Sequence, residues 1–377
     1  MTHDPLAPQF LNSGSRKTRR EVLKIAGVGA AALAAAPLLN ACGSSSGSTG
    51  SSSPAAGERT IIRFAFAPDP VWDYMMDNGM TVAWEEKYNT RIVTSSTWDE
   101  FTYFAGGHGD VVSMATYEMP VLEQKTGFPT STFGRYNLLR ITPLAQPSKN
   151  YKTLADIPKG SKIGVPSAVS STLVWGMFAK KLHNLDFRVG GGDFELIVAD
   201  HFVMPQMVTS GQIEAALAIP EAAVPQLRKG ELVVMYDGKL PWQVYSEIIG
   251  EEHKGVMGNN FSSKKAWFDA NKVAAQEFDV LWESGIQVWR TNQAKIIQTY
   301  PQHFSVEDPA DVQFMIDYIA KHDWFTPSVY FDETWATNEK KLYDLMKETG
   351  FMEQNAPVPE FDPITPPAGA SSASPAA

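Results

Sequence analysis

The chain has 377 residues, enough for two domains or one large one, and it is 44% hydrophobic and 20% charged, the balance of a protein that buries a sizeable core. A formal net charge of −10 argues against nucleic acid as a partner, because neutralising phosphates takes clustered Lys and Arg. The single cysteine, Cys42, excludes an internal disulfide framework and any multi-cysteine metal site, and no cofactor is expected.

The first informative stretch is basic, Arg16-Lys17-Thr18-Arg19-Arg20-Glu21-Val22-Leu23-Lys24, and it precedes a mild apolar run over residues 25–39. That run is shorter than the roughly 20 residues a spanning helix needs and has the shape of a secretory signal. Thr18-Arg19-Arg20-x-x-Leu23-Lys24 resembles a twin-arginine signal, the route that exports folded proteins. Leu39-Asn40-Ala41-Cys42 resembles a lipoprotein cleavage box, in which the small Ala41 suits cleavage and the Cys42 thiol takes the lipid. Residues 1–41 are therefore read as a signal. Residues 42–57 are read as a lipidated cysteine and a Gly/Ser-rich tether, whose r.m.s. reach is roughly 20 Å for about 15 residues. Residues 356–377, rich in Pro, Ser and Ala, are expected to be a disordered tail.

Between them, short β-type runs alternate with helical patterns, which predicts an α/β fold. Residues 61–66 read as a first strand, and Asp69-Pro70 as an N-cap with proline at the first helical position. Trp72, Met75, Met76 and Met80 follow at helical spacing, with Asn78-Gly79 interrupting them. Residues 91–94 and 111–114 are further strands. A second set follows: a strand over 161–165 ended by Pro166, and a helix with Val174, Met177, Phe178 and Leu182 on one face. Gly190-Gly191-Gly192 is a turn, and strands over 194–198 and 213–219 follow, the latter closed by Pro220. After residue 260 most of the chain is expected to be helical, with Phe278, Leu281, Trp282, Ile286 and Trp289 along one long amphipathic helix. Helices are also expected over 308–321 and 332–347.

Specific residues then carry a resemblance. Lys152-Thr153-Leu154-Ala155-Asp156-Ile157-Pro158-Lys159-Gly160-Ser161-Lys162-Ile163-Gly164-Val165-Pro166 leads to Ser170-Ser171-Thr172 at a helix start. Thr209-Ser210-Gly211-Gln212-Ile213-Glu214-Ala215-Ala216 follows, and Gly109-Asp110-Val111-Val112 stands before them. In this order they resemble the sulfonate/nitrate/taurine and thiamine-precursor binding family of ABC importers, over residues 60–350. The thiamine-precursor subgroup has a cysteine-rich motif, whereas this chain has no cysteine after Cys42. The resemblance implies a two-lobed type II periplasmic binding protein fold with the ligand in the interlobe cleft. It implies residues 58–145 in a first lobe, 146–254 in a second lobe inserted in it, and 255–355 returning to the first. It further implies a lipid-anchored, monomeric solute-binding protein outside the cytoplasmic membrane, whose partners are a small-molecule solute and an ABC permease and ATPase complex.

In open α/β sheets ligands bind beyond the carboxyl ends of strands, which selects the loops at 67–72, 113–117, 167–172 and 220–222. The candidate ligand-binding residues are Asp69, Trp72, Ser113, Thr116, Tyr117, Ser170, Ser171, Thr172, Glu221 and Asn260. Ser170 to Thr172 would present hydroxyls and free N–H groups at a helix start, a site that takes an anion without a cationic side chain; alternatively Ser170 only caps its helix. Trp72 is either a stacking wall or the first buried residue of its helix, and Tyr117 and Trp175 carry the same ambiguity. Glu221 either accepts from a ligand or is solvated, and Asn259 and Asn260 either contact a ligand or stabilise a crossing between lobes. The expected solute is a small organic anion, a sulfonate or carboxylate, aromatic ones included; a neutral nitrogen heterocycle or vitamin precursor is the alternative.

An exported enzyme and a membrane-bound sensor are the rival classes. The seven histidines include no H-x-x-x-H pair, and no P-loop is present. Asp69 with Asp73 and Glu118 with Glu123 are read as solvated carboxylates rather than acid/base pairs. No catalytic or metal-binding residue is expected.

Overall fold

The structure, a computed structural model, describes residues 59–367. The expected signal, Cys42 and tether lie outside the described residues, as do residues 368–377. The chain opens with β1 (Thr60–Phe66). Asp69 then accepts from the Val71 and Trp72 amides (2.8 and 2.9 Å), capping α1 (Pro70–Asp77), with proline where a helix has no need of an N–H. Gly79, at φ 69°, ends the helical run in the conformation that only glycine enters without strain, and α2 (Met80–Tyr88) starts anew. The first pass continues with β2 (Thr90–Ser96), α3 (Glu100–Ala105), β3 (Val111–Met114), α4 (Met119–Thr126) and β4 (Thr130–Leu138).

The middle of the chain runs β5 (Thr142–Ala145), β6 (Lys162–Val165), α5 (Ser171–His183), β7 (Phe187–Arg188), β8 (Gly191–Gly192), β9 (Glu195–Val198), α6 (Met204–Thr209), β10 (Ala215–Ala218), α7 (Val224–Arg228), β11 (Val233–Val234) and α8 (Pro241–Ile249). It returns through β12 (Met257–Lys264), α9 (Lys265–Ala270), α10 (Lys272–Thr299), α11 (Pro309–His322), α12 (Glu333–Glu348) and β13 (Glu360–Phe361).

Two large sheets result, in the orders β13-β4-β12-β3-β1-β2 and β11-β5-β10-β6-β9, beside a two-stranded β7-β8 ribbon. The parallel parts are alike. β1 lies between β2 and β3, and β6 lies between β9 and β10, all in parallel, and an antiparallel strand follows β3 and β10. Each sheet therefore has a point beside its first strand where the strand order reverses, and the carboxyl ends at these points shape the cleft. The first sheet packs on α10 through Phe64, Phe133, Phe261, Phe278 and Trp282. The second buries Ile163, Val174, Trp175, Phe178 and Leu217.

Several expectations are corrected. β4 and β12, next to each other inside the first sheet, were not expected; β12 runs on into the segment expected to be helical. The first crossing between sheets falls at residues 139–141, so β5, expected at the end of the first lobe, belongs to the second sheet, where it pairs with β10 and β11. α12 does not simply return to the first lobe: Ala336, Leu342, Tyr343 and Met346 pack into the core that holds α5. The expected tail is ordered in part, since β13 pairs with β4 and Phe361 is buried. Leu182 and Met76, expected on buried faces, are 43% and 49% exposed.

Candidate functional site

The ends of β1, β2 and β3 face the ends of β6, β9 and β10 across a cavity of about 230 Å³. From the first sheet come residues 66–69 and 98–101 with Ser113, Ala115, Tyr117 and Glu118; from the second come Pro166, Ser167, Val169, Ser170, residues 199–202 and Ile219; Arg140 and Ile141 belong to the crossing between the sheets. A second chamber of about 190 Å³ shares Asp69, Trp98, Asn137, Arg140 and Phe202 with the first and extends to Glu221, His303 and Trp324. At the mouth Trp98, from the β2 end, meets the β9 end: its ring centroid lies 6.1 Å from that of His201 and 6.5 Å from that of Phe202.

Of the sequence-based candidates, Asp69, Ser113, Tyr117 and Ser170 line the first chamber. Asp69 caps α1 and also accepts from the Tyr136 phenol (3.2 Å). Burial is the main influence on its carboxyl and raises the pKa, against the lowering effect of the Trp72 amide. Tyr117 is buried, and Ser170 lies close enough to influence its phenol. Ser170 does not use its side chain to cap α5, so that hydroxyl belongs to the cleft. Glu221 is neither solvated nor free: it is buried at the second chamber, pairs with Arg140 and keeps one carboxylate oxygen without a hydrogen-bond partner.

The other candidates lie elsewhere. Trp72 is a core residue, not a stacking wall; its indole packs on Phe66 (5.4 Å), Phe64 (5.9 Å) and Trp282 (5.7 Å, stacked). Trp175 is likewise buried, with its Nε1 donating to the Ile141 carbonyl (2.9 Å). Thr172 is buried and spends its hydroxyl on the Ser167 carbonyl (2.6 Å), and the Ser171 hydroxyl is buried behind the helix start. Thr116 and Asn260 belong to a buried chain of hydrogen bonds. Asn260 Nδ2 donates to Thr116 Oγ1 (2.7 Å), and Thr116 donates to Glu339 (2.6 Å). Glu339 also accepts from the Val256 and Met257 amides (2.9 and 3.1 Å) and pairs with His253 (2.9 Å). Of the two amides, Asn259 lines the cleft and Asn260 joins the crossing to α12.

Glu118 and Glu123, expected to be solvated, are both buried. Glu123 accepts from the Thr130 amide and hydroxyl (both 2.7 Å). Glu118 lines the cleft, accepting from the Ala115 amide (3.2 Å). Burial, and to a lesser degree Asp99, hold its pKa up at about 7. Beside it, burial and the Glu118 charge push Glu100 to about 8. His201 goes the other way: burial and the neighbouring Arg140 hold it at about 4, so it is neutral at physiological pH.

Sequence reasoning missed Trp98, Glu100, Glu118, Arg140, His201 and Trp282. The strand-end rule itself could have found Trp98, Glu100 and His201, since β2 and β9 end there as β1 and β6 end at Asp69 and Ser170. Among the described residues no group of three His, Cys, Asp or Glu side chains is placed to hold a metal ion.

No family model and no curated protein matches the sequence. Solved structures do match. The alkanesulfonate-binding protein of Xanthomonas axonopodis pv. citri, bound to MOPS, is 16% identical at TM-score 0.61, over 80% of this chain and 97% of that one. The periplasmic aliphatic sulphonate binding protein of Escherichia coli is 14% identical at TM-score 0.59, over 79% and 96%. The periplasmic nitrate-binding protein of Synechocystis PCC 6803 is 14% identical at TM-score 0.56, over 79% and 83%. This likeness shows the fold: two α/β lobes in the arrangement of type II periplasmic binding proteins.

Proposed function

We propose that this protein is the solute-binding component of an ABC importer. It is exported by the twin-arginine route, lipidated at Cys42 and held as a monomer on the outer face of the cytoplasmic membrane. There it captures a small solute by closing its lobes and delivers it to a permease and ATPase complex. The observation that carries this reading is the convergence of strand ends from both sheets on one cavity, so that neither lobe alone completes the site. Binding energy made with both lobes at once favours the closed state, which is the differential affinity that domain closure requires. The fold neighbours, two sulfonate-binding proteins and one nitrate-binding protein, support a binding role over catalysis.

A small organic anion is a second reading of the solute, and one observation favours it. Ser170 stands at the start of α5 with its hydroxyl toward the cleft, where helix N–H groups attract negative charge.

Thermal shift across a panel of organic anions, cations and neutral heterocycles tests the binding role. A solute at 100 times its Kd is expected to stabilise the protein by about 2.7 kcal/mol. Turnover of a panel member, or the absence of any stabilising solute, would count against the reading. Fractionation of cells carrying Cys42→Ser tests the anchor: the body is expected in the medium or unprocessed, and unchanged membrane retention with normal processing would remove the lipid.

A further inference from the structure

The acidic lining of the cleft weighs against the anion reading. Asp69, Asp99, Glu100, Glu118 and Asp200 all line the first chamber. The cation among its walls, Arg140, is already paired with Glu221, and its Nη1 leans on Asn137 (3.5 Å). His201 is held neutral. Part of the helix start expected to receive an oxyanion is already used: the Ser170 and Val169 amides donate to the Ser167 hydroxyl (2.9 and 3.2 Å), and the Thr172 hydroxyl donates to the Ser167 carbonyl, which leaves the Ser170 hydroxyl at the cleft. An oxyanion in this chamber would lose its water, meet the acidic side chains Asp99 and Asp200, and find no unpaired cation in the wall.

We propose that the cleft recognises a small organic cation, aromatic or N-methylated, with Glu118 and Glu100 supplying the countercharge and Trp98, Phe101 and Tyr117 supplying aromatic walls. The inference rests on the solute-binding reading above and names the substrate class of that same site. The two carboxylates come from different strand ends, and Glu100 Oε2 is buried without a hydrogen-bond partner. Glu118 is more than nine-tenths buried, and its one direct hydrogen bond, from the Ala115 amide, leaves acceptor capacity toward the cleft. A cation placed against both relieves their mutual repulsion, and rings within about 6 Å of its centre attract it through their quadrupoles. Trp282, 1% exposed in the wall, has an indole N–H with no hydrogen-bond partner among the described residues, which suits a solute carrying an acceptor atom as well as the cationic centre.

The pH profile gives a second readout. Glu118 and Glu100 share the cleft wall with Asp69, Asp99 and Tyr117 on their own side, Arg140 at the crossing, and Asp200 and His201 on the other lobe. With pKa values near 7 and 8, both carboxyls gain charge as pH rises through neutrality, so affinity for a cation of fixed charge rises with them.

The test uses the mature chain and matched probes: benzyltrimethylammonium, benzyl alcohol, benzenesulfonate and benzoate, within a wider panel of organic cations and anions. Calorimetry is paired with small-angle scattering. Organic cations are expected to bind and compact the protein, and affinity for benzyltrimethylammonium is expected to rise about tenfold between about pH 6 and about pH 8.5. Glu118→Gln is expected to weaken that binding about tenfold without changing binding of benzyl alcohol; Glu100→Gln serves the same purpose if the first variant fails to fold. Binding and compaction with anions while every cation is inert would overturn the cation assignment and leave the importer reading standing. A panel in which neither class binds or compacts the protein would overturn both.

Discussion

At the scale of single residues, Trp72 shows how a helix start divides its duties. Asp69 faces the cleft while capping α1, and Trp72, three residues on, points the other way into Phe64, Phe66 and Trp282. Trp72→Ala is therefore expected to cost about 3–5 kcal/mol in a denaturant titration, with solute affinity of the folded fraction nearly unchanged. A loss of affinity without loss of stability would return the indole to the cleft. Glu100 and Glu118 predict a dependence on pH. Their folded pKa values lie above the ordinary carboxylate value, so the folded state holds protons that the unfolded state releases. Their contribution is present below about pH 4.5 and is lost as pH rises to about 8. Glu100→Gln and Glu118→Gln should each raise the unfolding free energy of the solute-free protein at pH 8.5 and change it little at pH 4.5, as measured by denaturation at the two pH values. Sequence could not reveal this, because Glu118 and Glu123 read like any surface pair until α4 and β4 bury them.

At the scale of elements, what was legible followed local chemistry. Asp69-Pro70 marks α1, Asn78-Gly79 marks its end, and the apolar runs of β1, β3 and β6 mark strands. β4 and β12 were not legible, because runs of buried polar residues interrupt their apolar pattern. Thr130, Ser131, Thr132, Asn260, Ser262 and Ser263 are all buried, and Thr132 and Ser262 satisfy one another across the strands (2.8 Å). Such hydroxyl pairs look like loop until a partner strand is known. The return crossing has its own constraint. Val256 stands at φ 55°, a strained setting for a β-branched residue, and its amide donates to Glu339. A Cβ on the preceding Gly255 would overlap the Glu339 carboxylate and the His253 ring. The network keeps the Glu339 pKa low despite burial, mainly through His253, so its contribution persists above the unfolded carboxylate range and is lost in acid. Glu339→Ala leaves two amides, His253 and Thr116 without their acceptor and is expected to cost about 3–5 kcal/mol. Gly255→Ala should displace the same clasp. Denaturant unfolding at neutral pH checks both, and wild-type stability in either variant would refute the clasp.

At the scale of the whole molecule, the chain crosses between sheets more often than its motifs suggest. The 139–141 and 250–256 segments run side by side, with the Leu139 amide donating to the Val256 carbonyl (2.8 Å). α12 then reaches the second core, and β13 returns to β4. Closure has to proceed against these ties, while Trp98 on one side and His201 and Phe202 on the other meet at the mouth. Trp98 is 53% exposed and Phe202 39%, so their contact contributes little to folding and most to holding the lobes together. Trp98→Ala is expected to leave the unfolding midpoint of the solute-free protein within about 0.5 kcal/mol of wild type, as for surface substitutions away from special features. The same variant should release solute faster, because it removes both an aromatic contact across the mouth and a wall of the solute cavity. With the probe that best stabilises the wild type, stopped-flow dissociation should accelerate by about tenfold, the equivalent of about 1.4 kcal/mol lost from the closed state. Scattering at saturation should show less compaction. Unchanged dissociation together with full compaction would show that the lobes close without this aromatic contact, and the determinant would then lie deeper, where Arg140 and Glu221 pair beside the crossing.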